Sequence, residues 1–297
     1  IQSSIAGLPI ARRMRWGASR EAFVRPIHWV VAMLGQDCDH GKIFNLSTGN
    51  TTRGHRFHSS GLLTLNHAED YESALAKANV IASFEQRQQI IREQVEAQAL
   101  TLGANAVIAT DLLEEVTGLV EWPVALTGSF EERYLQVPPE ALISSMKEHQ
   151  KYFHLVDSKG ELLPYFITVA NIESSDPPQV IAGNERVIRP RLSDAAFFFE
   201  TDKKIPLADR VASLSNIVFQ QKLGTLLDKT VRISQLAALL APDVGASVAF
   251  AQRAAELSKA DLVTDMVLEF ADMQGIAGSY YALHDGEEGE VAAALAQ

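Results

Sequence analysis

Two short words in the chain concentrate cations beside planar side chains. Arg12-Arg13-Met14-Arg15-Trp16 puts three guanidinium groups and an indole within five residues, and Arg53-Gly54-His55-Arg56-Phe57 puts two guanidinium groups, an imidazole and a phenyl ring around a glycine that lets the backbone turn tightly. RNA recognition needs cations for phosphate and flat groups for unpaired bases, so both words suit RNA. Arg25, Lys147, Lys151, Arg189 and Arg191 extend the set. The candidates are therefore Arg12, Arg13, Arg15, Trp16, Arg25, Arg53, His55, Arg56, Lys147, Lys151, Arg189 and Arg191. A second reading stands beside this one. Arginines flanked by apolar residues also anchor interfaces through carboxylates, and the chain has 37 of those. At 12–15 and 53–56 both readings remain open. Residues 186–191 abut a domain boundary and read as bridging. Pro190 there predicts an extended backbone, in which Arg189 and Arg191 point the same way. Lys147, His149 and Lys151 close a predicted helix, where cations are favourable with or without a ligand.

Other chemistries fail on inspection. Gly49-Asn-Thr-Thr-Arg-Gly54 has phosphate-loop spacing but continues with His55-Arg56, so the lysine and the magnesium-binding hydroxyl are missing. Gly17-Ala-Ser-Arg-Glu21 lacks the closing glycine of a nucleophile elbow. His55 and His58 could share a metal, yet no third ligand stands near them, which leaves hydrogen-bonded or RNA-contacting histidines. His284-Asp285 is followed at once by Gly286 and reads as a helix end. We expect no catalytic residue, no metal site and no cofactor in this chain.

The charge is uneven. Net charge is −11, which disfavours nucleic acid in general and DNA in particular. Residues 1–60, however, carry eight Lys/Arg against three Asp/Glu, while 242–297 carry two against ten. A polyanion would meet the basic beginning and be kept off the acidic end. No apolar run approaches the ~20 residues of a membrane span. A single cysteine, Cys38, fits a reducing cytoplasm. The opening Ile1 and an uncapped helical pattern over 291–297 suggest a piece of a longer chain.

These residues need elements to position them. Residues 23–34 predict a strand, and 35–66 predict short strands joined by turns. A helix is predicted over about 83–102, capped by Ser83 and Gln86, stopped at Gly103 and buried along Phe84, Ile91, Val95 and Leu102. Short strands follow at 107–109 and 124–126, with helices over 112–120 and 140–150 and a hairpin pairing 155–156 with 165–170. Beyond about 195 only helical periodicity remains, including a long helix over 247–270. The expected architecture is an α+β domain followed by an all-α domain. Residues 1–20 form a basic edge segment, 21–204 the α+β domain and 205–297 the helical one.

Longer words carry a family likeness. Arg12-Arg-Met-Arg-Trp-Gly17, Phe23-Val-Arg-Pro-Ile-His-Trp29, Thr51-Thr-Arg-Gly-His-Arg-Phe57, Met146-Lys-Glu-His-Gln-Lys-Tyr-Phe153, Asn184-Glu-Arg-Val-Ile-Arg-Pro-Arg-Leu192 and Lys259-Ala-Asp-Leu-Val-Thr264 resemble, in collinear order, the β subunit family of bacterial glycyl-tRNA synthetase. The resemblance implies a tetramer of two α and two β subunits, with tRNA-Gly and the α subunit as partners. The α subunit would use ATP and Mg²⁺ to make glycyl-adenylate, and the β subunit would recognise tRNA. It implies an editing-like domain, similar to that of the phenylalanyl-tRNA synthetase β subunit, and then an HD-like domain. Lys259-Ala-Asp261 stands where an HD doublet would lie, without its histidine, so the HD-like domain is expected to be degenerate; Asp261 shares a helix face with Phe250, Ala254, Leu257 and Leu268 and is expected to be buried. Two alternatives accompany this reading: hydrolytic editing of mischarged tRNA, and a structural module between subunits. The chain alone is expected to be inactive.

Overall fold

The computed structural model describes residues 1–297. Ser83 opens a helix as its position predicts. Its Oγ accepts the Gln86 amide at 3.2 Å, and the helix runs Phe84–Thr101 to Gly103, whose φ of 65° ends it. The buried stripe is Ile91, Val95 and Ala99, whereas Phe84 and Leu102 at the ends are exposed. The next helix is Thr110–Leu119.

The chain forms two compact units, each assembled from separated segments. The first comprises Ile1–Gln94, Leu113–Ala125 and Val169–Ser175. Its sheets are very short. The single strand expected over 23–34 is divided into Ala22–Phe23, Val30–Val31 and Met33–Leu34. Pro26 within it cannot donate to a ladder. Val30–Val31 pairs in parallel with Leu46–Gly49, which pairs antiparallel with Lys42–Ile43. Thr51–Thr52 pairs antiparallel with Leu63–Thr64 and closes the turn that carries 53–58.

The second unit comprises Val95–Leu112, Leu126–Thr168 and Asp176–Gln297. A four-stranded sheet runs in the order Asn105–Ala106, Phe153–Val156, Leu162–Ala170, Val124–Ser129. The expected hairpin is present, closed over Asp157, whose carboxylate accepts the Lys159 and Glu161 amides. The helix expected over 140–150 is α-helical only for Pro139–Ser144 and widens to π over Ser145–His149.

The segment around Pro190 corrects the extended-backbone expectation. It lies inside a 26-residue helix, Pro177–Asp202. An interior proline costs a helix about 3 kcal/mol. Here Ile188, Leu192, Ala195 and Phe199 recur at helical spacing and are buried, and large apolar side chains contribute about 1.5–3 kcal/mol each. Burial outweighs the proline, which sits on the exposed face. Arg189 and Arg191, two residues apart on a helix, therefore point to nearly opposite sides.

The C-terminal part is helical, with Leu226–Leu240, Val248–Leu257, Ile276–His284 and Gly289–Leu295 as its main helices. It also holds a small antiparallel pair, Val218–Gln220 with Gly224–Thr225, where only helix was expected. Gly224, at φ 87°, makes that turn. The helix expected over 247–270 is broken into Val248–Leu257, a 3₁₀ turn Ala260–Val263 and Asp265–Glu269. Thr264 causes the break, because its hydroxyl accepts the Val267 amide and donates to the Asp261 carbonyl.

Asp202 ends the long helix and ties this part together. Its carboxylate accepts the Asp265 amide at 3.1 Å, the Met266 amide at 2.9 Å and the Tyr281 hydroxyl at 3.1 Å. Arg210 lies 3.2 Å away, and both side chains are largely buried. Burial and the neighbouring carboxylate push the Tyr281 phenol up, so it stays a donor. Replacing Asp202 with Ala takes the carboxylate from the largely buried Arg210 and leaves two amides unpaired, and unfolding in denaturant is expected to show a loss of about 3–5 kcal/mol. Tyr281→Phe should cost about 1 kcal/mol.

His154, on the strand Phe153–Val156, lines a cleft of about 620 Å³ with Val107, Leu142 and Leu162. Burial, aided by the Lys147 charge, pushes its pKa down from 6.5 to about 4. The unfolded chain thus takes up a proton between about pH 6.5 and 4 that the folded chain refuses, so stability falls as pH drops through that window. The loss is on the order of 2–3 kcal/mol. His154→Leu is expected to flatten the pH dependence of unfolding there.

Candidate nucleic-acid interface

The 53–58 turn is built on a buried histidine. His55 is 1% exposed. Its Nδ1 accepts the Phe57 and His58 amides at 3.2 and 3.3 Å, so the ring proton sits on Nε2 and is donated to the Asn171 carbonyl at 2.7 Å. His58 stacks on His55 with centroids 4.7 Å apart, and its Nε2 accepts the Glu173 amide at 2.9 Å. Asn171 in turn accepts the Glu121 and Trp122 amides through Oδ1 at 2.8 and 2.9 Å. Three separate stretches of the first unit meet at this point. Gly54 is required by close approach: a Cβ there would lie 2.4 Å from Ala78 Cβ and 2.7 Å from its carbonyl oxygen. Of the two readings of the histidine pair, hydrogen-bonded structure is the one found. His55 lies beneath the surface and does not face outward with Arg53 and Arg56, a correction to its place among the RNA-facing candidates.

The turn so held presents Arg53, Arg56 and Phe57 to solvent, with Phe57 73% exposed and the Arg56 guanidinium 5.7 Å from its ring centroid. The guanidinium groups of Arg53 and Arg56 form no ion pair and no hydrogen bond, and neither do those of Arg12 and Arg15. Arg13 donates only to the Ala6 carbonyl, and Arg25 only to its neighbour's carbonyl at Val24. Arg15 lies on the exposed strand Met14–Arg15, paired with Ala22–Phe23. Trp16 is half-buried and meets Phe44 edge-on, with centroids 6.1 Å apart, so its ring is already used in packing.

The remaining candidates are carboxylate-bound or lie at helix ends. Arg189 Nε is 2.8 Å from Glu131, and Arg191 is 3.6 Å from Glu269. Lys147 Nζ is 2.7 Å from Asp111 and 3.5 Å from Glu148. That contact holds the Asp111 carboxyl below its usual range and raises the lysine. Lys151 follows the helix end with a left-handed φ of 60°. Thus carboxylates claim 147, 189 and 191 and leave 12, 15, 53 and 56 unclaimed.

Trp29, which lines the same clefts as Arg53 and Arg56, was left out of the candidates by sequence reasoning. Its indole N–H donates to Thr52 Oγ1 at 3.1 Å, and the ring is 43% exposed. The signal was present: Trp29 closes the word Phe23–Trp29, but nothing in linear spacing shows that it returns beside residue 53.

In the second unit, Asp261 is 1% exposed, as expected. It lies on the 3₁₀ turn Ala260–Val263 and accepts the Gly275 and Gly278 amides, while its Oδ1 is buried without a partner. Burial raises its pKa. His284 is exposed at its helix end, and Asp285 accepts the Leu207 amide at 2.6 Å. No helix is long and apolar enough to cross a membrane.

Arg12, Arg15, Arg53 and Arg56 of the first unit thus have no carboxylate partner, and the last two line clefts together with the exposed Trp29. Comparison with known proteins makes this specific. The family model described as glycyl-tRNA synthetase beta subunit matches residues 1–297, and the chain belongs to that family. It is 57% identical over 295 residues to the glycine–tRNA ligase beta subunit of Chromohalobacter salexigens, covering 99% of this chain and 43% of that protein. It is 56% identical to the protein of that name from Marinobacter nauticus and 54% identical to that from Acinetobacter baylyi, again spanning 43% of each. The chain therefore spans less than half the length of these curated relatives.

Replacing His55 with Ala strands two amides and a carbonyl. Unfolding should show a loss of about 2–4 kcal/mol, since each buried unsatisfied group costs about 1–3 kcal/mol. His58→Ala, which frees a single exposed amide, should cost less.

Proposed function

We propose that this chain is the part of a heterotetrameric, cytoplasmic glycine–tRNA ligase β subunit that holds tRNA-Gly by its basic face and scaffolds the α subunit. The observation that carries the reading is the lack of any carboxylate partner at Arg12, Arg15, Arg53 and Arg56 in a protein with 37 carboxylates. In a net-acidic chain, arginines held apart from internal acids remain available to an outside anion. Family membership supplies the anion and the enzyme: the relatives are named as glycine–tRNA ligase beta subunits. On this reading the α subunit uses ATP and Mg²⁺ to form glycyl-adenylate, and this chain adds no cofactor of its own. The mixed α/β region corresponds to the editing-like domain and the helical part to the HD-like domain. Asp261, at the position of the doublet, supports the latter: it is buried, and its Oδ2 accepts two backbone amides at the start of Ile276–His284.

The chain alone is expected to show no glycine-dependent pyrophosphate exchange. Binding to tRNA-Gly should weaken with salt, by about −0.9 in log affinity per log salt for each duplex phosphate contacted and about −0.7 for each single-stranded one. Arg12→Gln, Arg13→Gln and Arg15→Gln together should reduce that slope by about two to three. Charge changes near His284 should leave it alone. An unchanged slope and affinity in the triple variant would overturn the reading for that cluster.

A further inference from the structure

The sharpest feature of the basic face is a concavity that none of the arginines requires for its own packing. Two adjoining clefts of about 550 and 320 Å³ share Trp29, Arg53 and Arg56. His28, Thr51 and Leu62 complete one, and Gly54, Ser59, Gly61 and Glu121 complete the other. Each lies in the size range of pockets that take small ligands, ~300–1,000 Å³.

We propose that these clefts form one subsite for an unpaired nucleotide of the bound RNA, its base stacked on the Trp29 indole and its phosphate held by Arg53 and Arg56. The inference rests on the RNA-binding reading above and deepens it. Three observations carry it. The indole is exposed but not free to swing, because its N–H is fixed on the hydroxyl of Thr52, which is itself 2% exposed. A preset flat face costs little entropy when a base lands on it. The two guanidinium groups have no internal acceptor, and His55 beneath them holds their turn in place through five hydrogen bonds to nitrogen or oxygen of the backbone. Glu121 is the one carboxylate lining either cleft. It repels a second phosphate and can accept from the amino edge of a base, so the site suits one phosphate with one base. A paired base cannot use it, since its face is covered by its neighbours in the stack.

The test measures binding of the 297-residue chain to tRNA-Gly, to a short single-stranded RNA and to a blunt RNA duplex, with inorganic phosphate as competitor. Trp29→Leu should weaken tRNA and single strand by roughly 5- to 100-fold, the equivalent of losing one stacked base. It should leave the blunt duplex and the salt slope unchanged. Trp29→Phe, which keeps a flat face but loses the bond to Thr52, should restore most of the affinity. Arg53→Gln with Arg56→Gln should lower the slope by one to two. If Trp29→Leu and Trp29→Phe bind alike, or if the duplex loses as much as the single strand, the subsite is wrong while the arginine surface stands. If millimolar phosphate displaces RNA as well as a mononucleotide does, the cleft is an anion site without base stacking. If the wild-type chain binds none of the three RNAs, the functional reading falls and the subsite with it.

Discussion

The first unit depends on one imidazole. His55 accepts two amides on one ring nitrogen and donates to a distant carbonyl from the other, and it is almost wholly buried while doing so. A side chain with a single kind of polar group could not do both, and a charged one would be costly to bury. Gly54 beside it permits the close approach to Ala78, and Asn171 relays the contact to Glu121 and Trp122. Strands only two to four residues long cannot hold such a unit by ladder bonds alone. The unit is fastened at a polar centre instead, and the residues on the outer side of that turn inherit a fixed position.

The second unit repeats the device with different chemistry. Asp202, at the end of the long helix, gathers two amides, a phenol and a guanidinium, and Asp261 gathers the amides of Gly275 and Gly278. In both cases a buried carboxylate meets the unpaired N–H groups that a helix start must leave. The acidic composition is thus partly structural. Carboxylates also claim Lys147, Arg189 and Arg191, and what they leave unclaimed defines the basic face.

Much of the architecture was legible in the residues. Ser83 and Gly103 marked a helix because capping is local, and Ser158-Lys159-Gly160 marked a hairpin for the same reason. The family was legible from long words that need no geometry. The failures share a cause. Pro190 was read by its local preference, whereas a stripe of buried apolar side chains decided the helix. Thr264 ended a periodic run that amphipathicity alone would have continued. At the site, RNA contact and internal bridging could not be separated by composition. Which arginine meets which carboxylate is a matter of separations such as 58 residues for Arg189 and Glu131. Trp29 was missed because Thr52 and Arg53, beside which it stands, lie far along the chain.

Amide hydrogen exchange of the chain, alone and with tRNA-Gly, tests the central claim most directly, because it reads position without altering a residue. The account predicts added protection in peptides covering 12–16 and 51–62 and none in the acidic stretch 242–297. Protection confined to 242–297, or its absence from both basic segments when tRNA is bound, would contradict it.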